Sequence, residues 1–327
     1  MPLQRRHVGQ RVVVRRLLPG QQGPSGGPAM TDVTGILETW DEGSFAVRRE
    51  DGDLVTIERD LFVTGKPIPP RASTRLRVNP ERLERICEGG WQPIEAQPLG
   101  EWTLRAAGGF TGRANSARVG GDPGVATDAA LETVADFYTA RGLPVLAQVV
   151  VGSDWQTAFV ERGWVTARHA GQDPVVQVAS VARTHRRAGE RASRNTDSLP
   201  ARLDSTPSPD WLALYGRTAG IDATVVRRVM ESGDEVAFAR IGDPVLAIGR
   251  GVVTGHWLGL QAVEVVSSRR RQGLATAVVD TLLAWGASHG ALSAYLQVLP
   301  DNDAALALYA GYGFTTHHAY RYLTPST

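Results

Sequence analysis

The chain has 327 residues, of which 42% are hydrophobic and 21% are charged, a composition that excludes a disordered or fibrous protein. Its length suits two domains of about 150 residues each. Lys and Arg together number 35 against 34 for Asp and Glu, and this balance makes nucleic acid an unexpected partner.

The first part of the chain, residues 1–72, alternates β-branched runs with turn residues. Its predicted strands are Gln10–Arg16, Val33–Trp40, Ser44–Arg49 and Leu54–Glu58. Asp51-Gly52 is typical of a hairpin turn, and the proline-rich Lys66–Pro70 is typical of a linker. Short strands at this density predict a small SH3-like β-barrel, which would stabilise the chain or dock a protein partner.

The rest of the chain alternates predicted strands and helices, which indicates an α/β (α+β) fold with a mixed sheet flanked by helices. The predicted helices are Glu81–Glu88, Asp128–Arg141, Asp154–Arg162, Pro209–Tyr215, Ala223–Met230, Gly273–His289 and Asn302–Tyr312. The predicted strands are Trp102–Ala106, Arg113–Arg118, Val145–Val151, Val175–Val181, Glu235–Ile241, Val245–Thr254, Trp257–Val266, Ser293–Leu299 and Phe314–Leu323. A polar stretch, Arg183–Ser198, is typical of a flexible connection between units at 76–182 and 200–327.

The segment Val263–Thr276 joins a buried strand to a helix through a basic turn that contains glycine. Several backbone N–H groups at a helix start have no intrahelical partner and lie at the positive end of the helix dipole. A phosphate group fits this position. Gly273 lets a ligand approach the backbone, and Arg269–Arg271 add positive charge. The segment therefore predicts a diphosphate site.

This turn resembles the cofactor loop of the GCN5-related N-acetyltransferases, the GNAT family. Arg270-x-x-Gly273-x-Ala275 is similar to the family's R/Q-x-x-G-x-G/A loop, which binds the pyrophosphate of acetyl-CoA. The sequence departs from the family at Ser267, where proline is frequent, and at Arg271, where a second glycine is common. Neither departure removes the backbone amides.

The last predicted helix resembles a second motif of the same family, N-x-x-A-x-x-L-Y-x-x-x-G-F. The matching residues are Asn302, Ala305, Leu308, Tyr309, Gly313 and Phe314. Asn302 and Tyr309 are seven residues apart, so at about 100° per residue they lie nearly on one helix face. The resemblance implies that Asn302 contacts the cofactor arm and that the Tyr309 hydroxyl protonates the departing thiolate.

The resemblance covers about Ser205–Leu323 and implies acetyl-CoA as co-substrate, with no metal. The residues expected to bind acetyl-CoA are Val263, Val265, Arg270, Arg271, Gln272, Gly273, Leu274, Ala275, Thr276 and Asn302. Val263 and Val265 would act through backbone N–H groups on the strand before the loop.

Attack by an amine on a thioester also needs a base, because the amine is mostly protonated at neutral pH. Glu264 is the carboxylate on the strand before the loop and is the first candidate. Alternation along the strand leaves open whether its side chain faces the cleft. His256, Asp234 and Glu235 stay open as alternatives.

The two halves of the α/β region resemble each other at an offset of 150 residues, which places Gly163-Trp164 opposite Gly313-Phe314. Phe159 then stands opposite Tyr309, and no basic loop precedes the first half's helix. We therefore predict a degenerate GNAT-like unit that does not catalyse the reaction. Its residues Arg113 and Asn115 are expected to line the acceptor cleft, where an arginine suits a carboxylate.

We expect a cytoplasmic protein without a membrane partner. Cys87 is the single cysteine, which excludes an internal disulfide. No segment has the roughly 18–20 apolar residues of a membrane span. The first twenty residues lack the apolar core of a signal peptide.

The predicted function is acetyl transfer from acetyl-CoA to the amine of a small molecule, by direct attack in a ternary complex. The layout resembles two-unit actinobacterial acetyltransferases assigned as N-acetylglutamate synthases, which makes glutamate one candidate acceptor. Two alternatives stay open. One is a protein N-acetyltransferase whose barrel docks a partner, and the other is a non-catalytic acyl-CoA sensor.

Overall fold

The computed structural model describes residues 3–23, 26–49, 53–68, 74–167, 172–184, 201–218 and 220–326. The chain divides into two compact units, Met1–Ser73 and Thr74–Thr327. The predicted Asp51-Gly52 turn and most of the predicted Arg183–Ser198 connection lie outside the described residues.

The first unit is a five-stranded antiparallel sheet in the order β4-β3-β2-β1-β5. The strands are β1 (Arg11–Gln22), β2 (Pro28–Trp40), β3 (Ser44–Arg49), β4 (Leu54–Glu58) and β5 (Phe62–Pro67). Alternating residues such as Val12, Val14 and Leu37 form its apolar core with Phe45 and Ile57. The small N-terminal β domain is therefore present.

The predicted linker at Lys66–Pro70 is wrong at its start. Lys66 and Pro67 belong to β5 and lie opposite Val13 and Val12 of β1. Because β5 is an edge strand, the missing N–H of a proline leaves no ladder hydrogen bond unmade. The sheet therefore ends at the first proline of the predicted linker, two residues into the predicted segment.

The second unit is built on one mixed sheet with helices on its faces, as predicted. Its helices are α1 (Pro80–Glu88), α2 (Thr127–Thr139), α3 (Asp154–Glu161), α4 (Pro209–Tyr215), α5 (Ala223–Met230), α6 (Leu274–Ser288) and α7 (Asp303–Tyr312). Its strands are β6 (Glu95–Leu99), β7 (Trp102–Ala106), β8 (Ala117–Arg118), β9 (Ala147–Val150), β10 (Trp164–Thr166), β11 (Val175–Ser180), β12 (Arg202–Asp204), β13 (Glu235–Ile241), β14 (Ala247–Thr254), β15 (Trp257–Val265), β16 (Ser293–Val298) and β17 (Thr315–Pro325). None of the helices described is long and apolar enough to cross a bilayer.

The two halves of this sheet exchange strands. The strand order is β12-β13-β14-β15-β16-β11-β17-β9-β8-β7-β6, with β10 also paired to β17. The first-half strand β11 therefore lies between β16 and β17 of the second half. In turn, Tyr320–Leu323 of β17 pairs with β9 of the first half. Neither half completes its sheet without the other.

Helices cover the two faces of the sheet differently. In the second half, α6 and α7 pack on one face, which we call the cofactor face. Helices α4 and α5 and the first-half loop 107–114 pack on the opposite face, which we call the acceptor face. Helix α1 packs against β11, β16 and β17, where the halves meet. The exchanged strands are therefore buried at this junction.

The predicted offset between the halves is visible in two aromatic pairs. Phe159 of α3 packs against Trp164 with ring centroids 4.9 Å apart. Tyr309 of α7 packs against Phe314 in the same way at 5.6 Å. The first half thus keeps the packing of this helix but has a phenyl ring where the second half has a phenol.

The exchange predicts that a core change near the C-terminus destabilises the first half. Leu323 lies on β17 but is 1% exposed in the cluster formed with α2 and α3. Leu323→Ala should lower the free energy of unfolding by about 2–5 kcal/mol, because it leaves a cavity in that core. Chemical denaturation of the full chain measures it.

The matched control is Leu292→Ala, at a leucine that is 61% exposed. It should change the free energy of unfolding by less than about 0.5 kcal/mol. Equal effects of the two substitutions would contradict the burial of Leu323 in the first half.

Candidate active site

Strands β15 and β16 separate near the middle of the second half. They are parallel and paired only from Trp257 opposite Ser293 to Leu260 opposite Leu296. Directly afterwards β15 contains a bulge, where Ala262 has a φ of 50° and the register with β14 shifts. The two strands therefore leave an opening between them at their carboxyl ends.

Backbone amides of β15 face this opening. The N–H of Val266 donates to the carbonyl of Leu246, at 2.9 Å, on the β14 side. Because N–H directions alternate along a strand, those of Val263 and Val265 point to the other edge. The carbonyl of Val265 accepts a 3.4 Å hydrogen bond from Arg270 Nε. The two predicted amides are thus brought to the opening.

The basic turn between β15 and α6 is exposed and has two left-handed residues. Arg271 has a φ of 63° and Gly273 a φ of 81°. The loop conformation therefore tolerates arginine where the family commonly has glycine, at a cost of about 1 kcal/mol. A Cβ on Gly273 would meet no atom of the chain within 4 Å, so the packing of the protein itself does not require glycine here, whereas the positive φ does. The space beside Gly273 is open to a ligand, and the predicted close approach of a ligand to this glycine stays a prediction.

The first turn of α6 presents free amides next to this loop. The first helical hydrogen bond joins the N–H of Ala277 to the carbonyl of Gly273, at 3.0 Å. The N–H groups of Leu274–Thr276 therefore have no partner within the helix. Arg270, Arg271 and Gln272 are exposed beside them. The structure thus brings together the free amides and the basic side chains from which the sequence predicts an anion site.

Asn302 caps α7. Its Oδ1 accepts a 3.1 Å hydrogen bond from the N–H of Ala305, and the residue is exposed. The N-cap prediction is confirmed. Only the side-chain amide nitrogen of Asn302 is left to contact a ligand.

Tyr309 is buried, 6% exposed, in the cluster that contains Val263 and Val265. Within the ranges that the structure describes, no group hydrogen-bonds its hydroxyl. Burial raises the pKa of the Tyr309 phenol, so the group keeps its proton at neutral pH. The side chain is therefore a neutral hydroxyl with its proton free to donate.

Tyr312 is a site residue that the sequence analysis missed. Its hydroxyl lies 2.5 Å from Asp280 Oδ1 and 3.1 Å from the carbonyl of Thr276. This contact fixes α7 against the first turn of α6. The available signal was the second tyrosine three residues after Tyr309 on one helix face.

Glu264 lies on the acceptor face, with its carboxylate 29% exposed and 3.6 Å from Arg217 Nε. Burial raises the pKa of this carboxyl, although Arg217 and Arg270 oppose the shift. A carboxylate with a raised pKa suits a general base. The structure therefore keeps Glu264 as the candidate.

The alternative bases lie at the other end of the strands. His256 is in the turn before β15, eight residues from Glu264, which is about 26 Å along an extended chain. Glu235 pairs with Val253 beside that same turn, and Asp234 precedes it. None of the three reaches the opening. In the described part of the chain, no three His, Cys, Asp or Glu side chains form a metal-binding group.

The corresponding loop of the first half is filled by its own carboxylates. Glu81 Oε2 accepts from the N–H of Gly121 at 2.9 Å, and Glu101 Oε2 accepts from that of Asp122 at 2.8 Å. Asp122 Oδ1 accepts from Gly124 at 2.8 Å. Anionic side chains thus occupy the amides that a phosphate would need. The structure gives a physical reason for the predicted degeneracy.

The predicted acceptor residues separate into two roles. Asn115 is fully used inside its loop, since its Oδ1 accepts from Ala107 and Gly109 and its Nδ2 donates to the carbonyls of Phe110 and Thr111. Asn115 therefore holds the loop in its conformation, and a direct contact of its side chain with an acceptor stays a prediction. Arg113, on the same loop, donates from Nη1 to Gln297 Oε1 of β16, at 3.0 Å.

The sequence matches a known protein family over residues 81–323, described as "Probable histone acetyltransferase Rv0428c C-terminal". The chain belongs to this family. It is 27% identical over 97% of its length to the probable histone acetyltransferase Rv0428c of Mycobacterium tuberculosis, covering 95% of that protein. It is 26% identical over 73% of its length to the uncharacterized N-acetyltransferase YobR of Bacillus subtilis, covering 97% of that protein.

The fold also matches a solved GCN5-related N-acetyltransferase from Kribbella flavida. The TM-score is 0.53 at 17% identity, over 76% of this chain and 95% of that chain. The protein is thus an N-acetyltransferase with the GNAT fold. Residues 6–66 match the Rv0428c N-terminal Sm-like domain, so the SH3-like type predicted for the barrel is not confirmed.

The left-handed loop predicts a specific effect of alanine on coenzyme A binding. Gly273→Ala should weaken the affinity for CoA about tenfold, because an alanine at positive φ costs about 1–2 kcal/mol and shifts the loop. Calorimetric titration with CoA measures it.

Gly311→Ala in α7 is the control, since Gly311 has no positive φ and its Cβ would meet nothing within 4 Å. It should leave CoA affinity unchanged and raise stability slightly, because alanine favours helix. Equal loss of affinity in both variants would contradict the role of the loop.

Proposed function

We propose that the protein transfers the acetyl group of acetyl-CoA to the amine of a small molecule. The observation that carries this proposal is the opening between β15 and β16, with free amides on one side and the free Tyr309 hydroxyl in the adjoining core. An extended thioester arm fits between two strands that have stopped pairing. The diphosphate fits the exposed loop at the same end of β15.

The residues present suit acetyl-CoA. The amides of Leu274–Thr276 and the side chain of Arg270 would hold the diphosphate. The N–H groups of Val263 and Val265 would hold the arm and polarise the thioester carbonyl. Bound acetyl-CoA supplies an acetyl thioester, from which an uncharged amine displaces the thiol.

Two side chains move the protons. Glu264 accepts a proton from the ammonium group, directly or through water, which gives the amine the lone pair that forms the new C–N bond. When the C–S bond breaks, the Tyr309 hydroxyl donates its proton to the departing sulfur. As the amide forms, the nitrogen loses its second proton to solvent. Glu264 then returns its proton to solvent and Tyr309 regains one from solvent, so one proton is released in net for each acetyl group transferred.

Transfer to a protein amine is the second candidate. It is favoured by the name of the Mycobacterium tuberculosis relative, which matches 97% of this chain. Thiol release from acetyl-CoA, measured with amino acids including glutamate and with lysine-containing histone peptides, separates the two candidates. Faster turnover of the peptides than of every small amine would contradict our proposal. A sensor without catalysis would show no thiol release with either.

Removing the Tyr309 hydroxyl tests the proton donor. Tyr309→Phe should lower kcat about 10²-fold, since a positioned acid contributes 10²–10⁴-fold, and should leave CoA affinity unchanged. Steady-state kinetics and calorimetry measure the two quantities.

Tyr312→Phe removes a hydroxyl one helical turn further along α7. It should keep most of the turnover and lose stability of about 1–3 kcal/mol, because its hydrogen bonds to Asp280 and to the carbonyl of Thr276 are lost. Turnover that survives in Tyr309→Phe would reject Tyr309 as the acid.

The raised pKa of Glu264 predicts a pH dependence. Glu264 accepts a proton only when ionised, so kcat/KM should fall as pH drops below its raised pKa. Glu264→Gln should remove this acidic limb and lower kcat about 10²-fold. Glu235→Gln, at the far end of β13, should keep the wild-type profile.

Glu264→Gln should also change how the free energy of unfolding depends on pH. Because burial raises the folded-state pKa, ionising Glu264 costs stability as pH rises from about 4.3, its usual unfolded value, through that raised value. Glu264→Gln should therefore gain stability relative to the wild type above this interval and not below it. Thermal unfolding between pH 4 and 7 tests the sign.

A further inference from the structure

A buried polar cluster lies on the acceptor face where β15 and β16 separate. Gln261 and Gln297 directly follow the last paired residues of the two strands. Leu260 and Leu296 face the cofactor side, so the glutamines that follow them point to the acceptor side. Arg113 and Arg250 complete the cluster around Trp91.

Arg113 reaches this cluster from the degenerate first half. Its guanidinium carbon lies 4.7 Å from the ring centroid of Trp91, and Nη1 donates to Gln297 Oε1 at 3.0 Å. Its loop is held by the four hydrogen bonds of Asn115. The arginine is therefore fixed in place before any ligand arrives.

Arg250 is a second buried guanidinium in the same cluster. It is fully buried and 5.0 Å from the centroid of Trp91. It donates to the carbonyls of Met230 and Gly90, each at 2.6 Å, and to Gln261 Oε1. Burial lowers its pKa to about 9, so it remains charged at neutral pH.

Several donors in this cluster have no partner. Buried nitrogens without a hydrogen bond are Trp91 Nε1, Arg113 Nε, Gln261 Nε2 and Gln297 Nε2. Trp91 is 1% and Gln261 is 8% exposed. An unmet buried donor costs about 1–3 kcal/mol, so four in one place indicate a missing acceptor.

The charge of the two arginines favours a negatively charged acceptor at this place. Among the side chains that the structure describes, neither Arg113 nor Arg250 forms an ion pair with a carboxylate. Buried charges are normally paired, and the idle Nε of Arg113, together with the indole and amide donors beside it, suits the oxygens of a carboxylate. The adjacent opening is where the thioester would lie.

We propose that Arg113 and its neighbours bind a carboxylate of the acceptor, so that the substrate is an amine that also carries a carboxylate. The degenerate half thereby selects the substrate for the catalytic half. This inference rests on the proposed acetyl transfer. It concerns how the acceptor is recognised, whereas the roles proposed for Tyr309 and Glu264 concern proton transfer in the chemical step.

Matched acceptor pairs test the inference. Each L-amino acid, glutamate included, is compared with its α-amide, with thiol release from acetyl-CoA as the readout. Wild type should prefer the carboxylate member about 10–100-fold in kcat/KM, the range expected for losing a hydrogen bond between charged groups. No preference, or a preference for the amides, overturns the proposal.

Two substitutions locate the preference at Arg113. Arg113→Gln should raise KM for the carboxylate acceptor at least tenfold and leave kcat and CoA affinity unchanged, while Arg113→Lys should keep part of the preference. Arg227→Gln, an exposed arginine paired with Glu231, is the control. Equal losses for carboxylates and amides in Arg113→Gln would contradict the inference.

Gln297→Glu keeps the proposal testable if Arg113→Gln folds poorly. A glutamate here retains the acceptor for Arg113 Nη1 and supplies a carboxylate inside the cluster. It should leave the unfolding temperature unchanged or raise it, and should weaken only carboxylate acceptors, at least tenfold. A lower unfolding temperature with unchanged preference would count against the carboxylate subsite.

Binding without turnover separates this inference from the proposed function. Calorimetry in the presence of CoA compares L-glutamate with its α-amide in wild type and in Arg113→Gln. If no amine is acetylated but glutamate binding depends on Arg113, the inference stands and acetyl transfer to small amines fails. If small amines are acetylated and neither their binding nor their turnover depends on a carboxylate, the inference fails and the proposed function stands.

Discussion

The separation of β15 from β16 is the constraint on which the rest of the site depends. The bulge at Ala262 adds one residue to β15, so even-numbered side chains face α6 before it and odd-numbered ones face α6 after it. This shift puts Val263 and Val265 beside the cofactor helices and turns Glu264 to the acceptor face. One extra residue thus frees the backbone amides and puts the candidate base on the acceptor face.

The sequence predicted what local chemistry determines. The basic turn and the Asn302–Tyr309 spacing depend on residues close in the chain, and the structure brings both to one end of the second half. It did not predict the exchange of β11 and β17, because strand pairing between distant segments leaves no periodic signal. Strand alternation also did not determine which face of the sheet the Glu264 side chain occupies, because the position of a bulge cannot be found by counting residues.

The first half shows how a GNAT-like unit loses its cofactor. Strands β8 and β9 stay hydrogen-bonded up to Val119 N–H and the Gln148 carbonyl, 3.1 Å apart. Glu81, Glu101 and Asp122 then satisfy the loop amides from within. These carboxylates would repel a negatively charged ligand, and the backbone donors that it would need are already occupied. The first half instead contributes strands to the shared sheet and the loop that carries Arg113.

Backbone strain points to the opening between β15 and β16 independently of any sequence motif. In the described chain, the non-glycine residues with positive φ are Thr111, Ala262 and Arg271. Each costs about 1 kcal/mol or more, and they lie in the Arg113 loop, the β15 bulge and the diphosphate loop. Strain held in the first-half loop at Thr111 and in two neighbouring segments of the second half, all bordering one opening, is expected where a site requires it. A fold selected for stability alone would have glycine at these three positions.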